Sequence, residues 1–89
     1  MSQININEGS VSFDGIEFVQ KGVTIYLEAG NTSVYLVSKT STKIENWLSL
    51  IVATFNVKED RDSNATLNNK TITFDNVEEI EMDLGFSDA

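Results

Sequence analysis

Val23-Thr24-Ile25-Tyr26-Leu27, followed by Glu28-Ala29-Gly30-Asn31 and then Ser33-Val34-Tyr35-Leu36-Val37, is the stretch that decides the fold. Successive side chains of a strand point to opposite faces, so Val23, Ile25 and Leu27 share one face. The β-branched and aromatic content suits a pleated, half-buried surface. With Gly30 between them, the two runs read as consecutive antiparallel strands of a meander. Tyr26 is out of phase with Val23, Ile25 and Leu27, and Tyr35 with Val34 and Leu36. Both tyrosines are therefore expected on the less buried face of the sheet, where aromatic side chains are candidates for contact with a partner.

Toward the N-terminus, Val11 and Phe13 alternate with polar neighbours, Asp14-Gly15 suits a type I′ turn, and Ile16, Phe18 and Val19 follow. This predicts a short hairpin. Toward the C-terminus, the polar cluster Ser38-Lys39-Thr40-Ser41-Thr42 gives way to Ile44, Trp47, Leu48, Ile51 and Phe55 at helical spacing. A helix is expected over residues 43–56, with Thr42 and Glu45 as a capping box and Trp47 facing the sheet. The competing reading is a buried strand, because Ile51, Val52, Thr54 and Val57 lose rotamer freedom in a helix. Residues 58–69 are mostly charged or polar and read as an exposed, mobile loop.

Thr71 to Phe74 alternates again, and Asp75-Asn76 offers a turn. Ile80, Met82, Leu84 and Phe86 then share one face, opposite Glu79, Glu81 and Asp83. A closing hairpin is expected, with a helix as the alternative over 77–84 because Val77, Ile80 and Leu84 also match helical spacing. Residues 87–89 are expected to fray. The predicted fold is α+β in one small globular domain over 1–89. It has an antiparallel sheet, made of a meander of about four N-terminal strands plus a C-terminal hairpin, with one helix packed on one face.

The 89 residues include 14 acidic and 6 basic side chains, a net charge of -8, with no cysteine and no histidine. Without imidazole there is no ordinary general base near neutral pH. Without imidazole or thiolate the usual zinc, haem and iron-sulfur ligands are missing. No Gly-rich phosphate loop occurs. A pair of carboxylates could do glycosidase-type chemistry only in a cleft, which a chain this short has little surface to build. No cofactor and no catalytic residue is expected. Asp60-Arg61-Asp62-Ser63-Asn64 opens like a calcium loop, but Ala65 stands where the loop needs Gly and Thr71 where it needs Glu. The first residues lack the charged and apolar regions of a secretory signal, and no apolar run approaches the roughly 18 residues of a membrane span. A cytoplasmic protein is expected.

The sharpest asymmetry is at the end of the chain, where Asp75, Glu78, Glu79, Glu81, Asp83 and Asp88 follow Lys70, the last base. On a strand, Glu79, Glu81 and Asp83 would form a row spaced about 6.8 Å apart. Such a row suits a basic partner surface, for example the positive groove of a nucleic-acid-binding protein. Glu78, Glu79, Glu81 and Asp83 are the candidate partner-binding residues. The same acids also read as a solvated face that keeps an edge strand from pairing. Acidity argues against direct binding to nucleic acid or to an anionic membrane. In this profile the chain is similar to phage-encoded inhibitors of nucleic-acid-binding host machinery, anti-restriction and anti-CRISPR proteins among them. That similarity implies a protein-binding inhibitor. The alternative is an assembly component that forms homo-oligomers or joins a larger particle through strand edges.

Overall fold

A computed structural model describes residues 5–7, 9–16, 19–59, 64–77 and 79–86. The elements in chain order are β1 (Asn5–Asn7), β2 (Ser10–Ser12), β3 (Val19–Gln20), β4 (Val23–Ala29), β5 (Thr32–Val37), β6 (Thr42–Lys43), α1 (Ile44–Lys58), β7 (Asn64–Asn68), β8 (Thr71–Asp75) and β9 (Ile80–Phe86). The fold is α+β with antiparallel pairing throughout, but the strands divide among three sheets. Their orders are β1-β2-β8-β7, β3-β6 and β5-β4-β9.

The β4–β5 hairpin forms where the alternation places it. Ala29 pairs with Thr32 and leaves Gly30-Asn31 as a two-residue loop. Gly30 sits at φ +63°, the first loop position at which a type II′ turn demands Gly. Val23, Ile25, Leu27 and Ala29 are all buried. β9 adds to the other side of β4, from Val23 opposite Phe86 to Ala29 opposite Ile80, so the segment after Glu79 is a strand and not a helix.

α1 buries Ile44, Trp47, Leu48, Ile51 and Phe55 as one stripe. Burying that stripe outweighs the rotamer cost of its β-branched residues. The helix runs to Lys58 and begins at Ile44. The capping box does not form, because Lys43 is the N-cap residue and makes no side-chain cap bond. The Thr42 hydroxyl donates instead to the Thr40 carbonyl at 3.3 Å. Phe55 meets Phe74 edge-on, with ring centroids 5.0 Å apart and planes at 76°.

Three connections differ from the sequence expectation. Asp14-Gly15 does turn, with the Ile16 N–H donating to the Phe13 carbonyl at 3.4 Å, yet among the described residues, which leave out Phe18 of the expected hairpin, it joins no pair of strands. Only Gly15, at φ +82°, enters the positive region. That φ pattern belongs to a type II turn, which splays the flanking strands instead of pairing them. β2 therefore pairs with β1 and with β8, where Val11 lies opposite Ile72. The expected loop over 58–69 contains β7, whose Ala65 is buried. β7 forms a hairpin with β8 around Asn69-Lys70, and Asn69 takes the left-handed conformation that Asn tolerates. The expected closing hairpin is absent, since β8 and β9 belong to different sheets and the Asp75-Asn76 turn carries the chain between them. Residues 60–63 of the expected loop, and 87–89, lie outside the described residues.

Asn56 of α1 closes the free edge of β7. Its side-chain amide donates to the Ala65 carbonyl at 3.0 Å, and its side-chain oxygen accepts the Ala65 N–H at 2.8 Å. One side chain thus supplies what a neighbouring strand would. Asn56→Ala is expected to cost about 1–3 kcal/mol, the penalty for two part-buried backbone groups left without partners, read as a lower urea midpoint with an unchanged slope.

Candidate functional site

The outer face of β5-β4-β9 is organised by the phase of its hydrogen bonds. Opposed residues in an antiparallel ladder alternately exchange both backbone bonds or none. The Ser38 N–H donates to the Val23 carbonyl at 2.8 Å, and the Gly30 N–H to the Glu79 carbonyl at 3.0 Å. Odd-numbered residues of β4 therefore bond to β5 and even-numbered residues to β9. The even-numbered side chains of β4, Thr24, Tyr26 and Glu28, stand on the face opposite buried Val23, Ile25 and Leu27.

Across that outer face the register gives three rows. Val37, Thr24 and Gly85 form one, Tyr35, Tyr26 and Asp83 the next, and Ser33, Glu28 and Glu81 the third. Tyr35 is 63% exposed. Glu79, Glu81 and Asp83 are exposed, and Tyr26 and Glu28 half-buried. The Tyr26 hydroxyl donates to Glu28 Oε2 at 3.2 Å, which fixes Glu28 beside the aromatic pair. No lysine or arginine stands in these rows. Glu28 and Glu81 lie directly opposite, an arrangement of like charges that disfavours the sheet by about 0.5 kcal/mol.

Of the four acids singled out from sequence, Glu81 and Asp83 lie on this face, and Glu79 precedes β9 at its end. Glu78 lies outside the described residues, as does the Asp60-Arg61-Asp62-Ser63 part of the calcium-loop resemblance. The two tyrosines share the face, directly opposed. Glu28 was missed, although it continues the Thr24, Tyr26 alternation. Its significance depends on Glu81 being its neighbour, and only the pairing of β4 with β9 supplies that. Glu59 is engaged elsewhere, accepting from Thr32 Oγ1 at 2.6 Å.

Chemically, the face offers π surfaces and carboxylates to a cation. An arginine or lysine can stack on a tyrosine ring and hydrogen-bond to an adjacent carboxylate. Among the described residues no three carboxylates cluster closely enough to hold a metal ion. A separate polar hollow of about 760 Å³ beside the Asn69-Lys70 turn is lined in part by Asp14, Glu45 and Thr73. Asp14 there accepts from Ser12 Oγ at 2.9 Å. No helix among the described residues is long and apolar enough to cross a membrane. No protein-family profile, curated protein or solved structure matches this chain, so the tyrosine and carboxylate face has to be understood from its own geometry.

Proposed function

We propose that this chain is a non-enzymatic, cytoplasmic protein-binding module that docks on a basic surface of another protein through the outer face of β5-β4-β9. Its acidic side imitates the charge of a nucleic acid, and the partner class is a nucleic-acid-binding protein whose positive groove it occupies. The observation that carries this reading is the opposition of Glu28 and Glu81 beside the half-buried Tyr26 and the exposed Tyr35. A sheet that only needed a solvated face would gain from a lysine at either glutamate, because opposite charges across strands stabilise and like charges do not. A like-charge pair held beside an exposed tyrosine is a local cost that a basic partner offsets.

The test is capture from the lysate of the source cells or their host, at low and moderate salt. The wild-type chain is compared with the triple variant Glu28→Gln, Glu81→Gln, Asp83→Asn. A basic nucleic-acid-binding protein held by the wild type, lost from the variant and released by salt is the expected result. Capture indifferent to both salt and the substitutions would discard the docking face.

A further inference from the structure

We infer that the docking face has an apolar anchor point beside its acids: the groove between the end of β5 and the first turns of α1 takes one aliphatic side chain, of leucine size, that protrudes from the same basic partner. The inference rests on the docking reading and adds to it the chemistry of the partner's contact segment.

α1 lies along β5 in the antiparallel direction. At the C-terminal end of the helix the Lys58 ammonium donates to the Ser33 carbonyl at 2.8 Å, and Glu59 accepts from Thr32 Oγ1 at 2.6 Å. Toward the other end of β5, helix and strand border a groove of about 300 Å³, lined by Val37, Ser38, Thr42, Asn46, Trp47 and Leu50. Val37 heads the row Val37, Thr24, Gly85 on the outer face of β5-β4-β9, so the groove adjoins that face.

The described residues leave four large apolar side chains exposed, and three of them meet here. Tyr35 and Val37 follow one another on the outer face of β5, and Val37, 51% exposed, shares the groove with Leu50, 48% exposed. Apolar side chains scattered singly over a surface need no explanation, whereas a contiguous strip beside a cleft marks a contact site. A volume of about 300 Å³ stands at the low end for ligand clefts, so the groove suits one side chain better than a whole small molecule.

Charge decides which part of the partner goes where. Exposed Lys39 and Lys43 follow the lining residues Ser38 and Thr42 in the chain, so this corner disfavours a cation. Glu28, Glu81 and Asp83 stand on the central and far strands of the same face. From Val37 to Asp83 is two strand spacings across the sheet and one side-chain repeat along it, roughly 12 Å. An extended chain covers that distance in about four residues. The complementary segment is therefore amphipathic. It places an aliphatic side chain in the groove and, about four residues away, basic side chains over the tyrosines and the acids.

The experiment titrates the isotope-labelled full chain at low salt with two synthetic peptides. One carries arginines spaced by serines, and the other is the same peptide with a leucine placed about four residues before the first arginine. Both are expected to shift the amide resonances of Tyr26, Glu81 and Asp83. Only the leucine peptide is expected to shift those of Val37 and Leu50 and the indole N–H of Trp47, the chain's one tryptophan, and to bind about tenfold tighter. In the double variant Val37→Thr, Leu50→Ser, both at exposed positions, that gain is expected to vanish while the arginine peptide binds as before. The wild-type shifts decide the matter even if the variant fails to fold. Equal affinity for the two peptides, or a leucine peptide that leaves Val37 and Leu50 unmoved, overturns the inference and leaves the acidic face standing. A gain that persists in the double variant also overturns it and seats the leucine elsewhere. If neither peptide shifts Tyr26, Glu81 or Asp83, the docking reading itself falls, and the anchor point with it.

Discussion

Replacing Phe55 by alanine is expected to lower the melting temperature by at least about 12 °C and to leave much of the population unfolded at 37 °C. Phe55 is fully buried in the helix stripe and rests edge-on against Phe74 of β8, so it fastens α1 to the four-stranded sheet. Truncating a buried phenylalanine costs about 3–5 kcal/mol, through lost transfer energy and the cavity left behind. A domain of this size has about 4–13 kcal/mol in total, and with no disulfide it belongs toward the lower part of that range. A single truncation therefore removes most of what holds the chain folded. The check is thermal and urea unfolding followed by circular dichroism. A shift under about 4 °C, less than 1 kcal/mol in a domain this small, would mean that α1 is not seated on β8 as described.

Glu81→Lys is expected to move stability and partner binding in opposite directions. The substitution turns the Glu28–Glu81 opposition into an ion pair across the β4–β9 ladder, worth up to about 1 kcal/mol relative to the like-charge pair. The urea midpoint should therefore rise. Docking on a basic surface should fall at least about tenfold, or 1.4 kcal/mol, because one attraction is lost and one repulsion is introduced. The loss should shrink as salt is raised, since the screening length drops from about 10 Å at 0.1 M to about 3 Å at 1 M. Tyr26 sharpens the comparison, because its hydroxyl already holds Glu28 in place and the new lysine meets a positioned carboxylate. A variant that gains stability yet captures the same partner with undiminished affinity would reduce the acids to a solvated face.

Phe55 belongs to the interior that any sequence with this helical stripe must bury. Glu28 and Glu81 belong to a surface where the local rule for cross-strand charge is broken, and such departures concentrate where a chain does something other than fold.

Short-range regularity was legible in the chain itself. The alternation from Val23 to Ala29, the stripe from Ile44 to Phe55 and the alternation from Glu79 to Phe86 each repeat their period several times. In such segments local propensity and burial agree. From the same alternation came the tyrosine pair and the row of Glu79, Glu81 and Asp83. Partner choice was decided by tertiary structure alone. β2 is only three residues long, β7 carries only Ala65 and Leu67 among polar residues, and the Asp14-Gly15 dipeptide permits more than one turn; β2 takes β8 in a pairing that sets Val11 opposite Ile72. The capping box yielded to an extended Lys43, and Asn56 became an edge cap only because α1 lies beside β7. Glu28 joined the acidic face only because β9 crosses from the far end of the chain to lie against β4. Periodicity is a property of neighbours along the chain, whereas register is a property of strands that meet only after the core has closed.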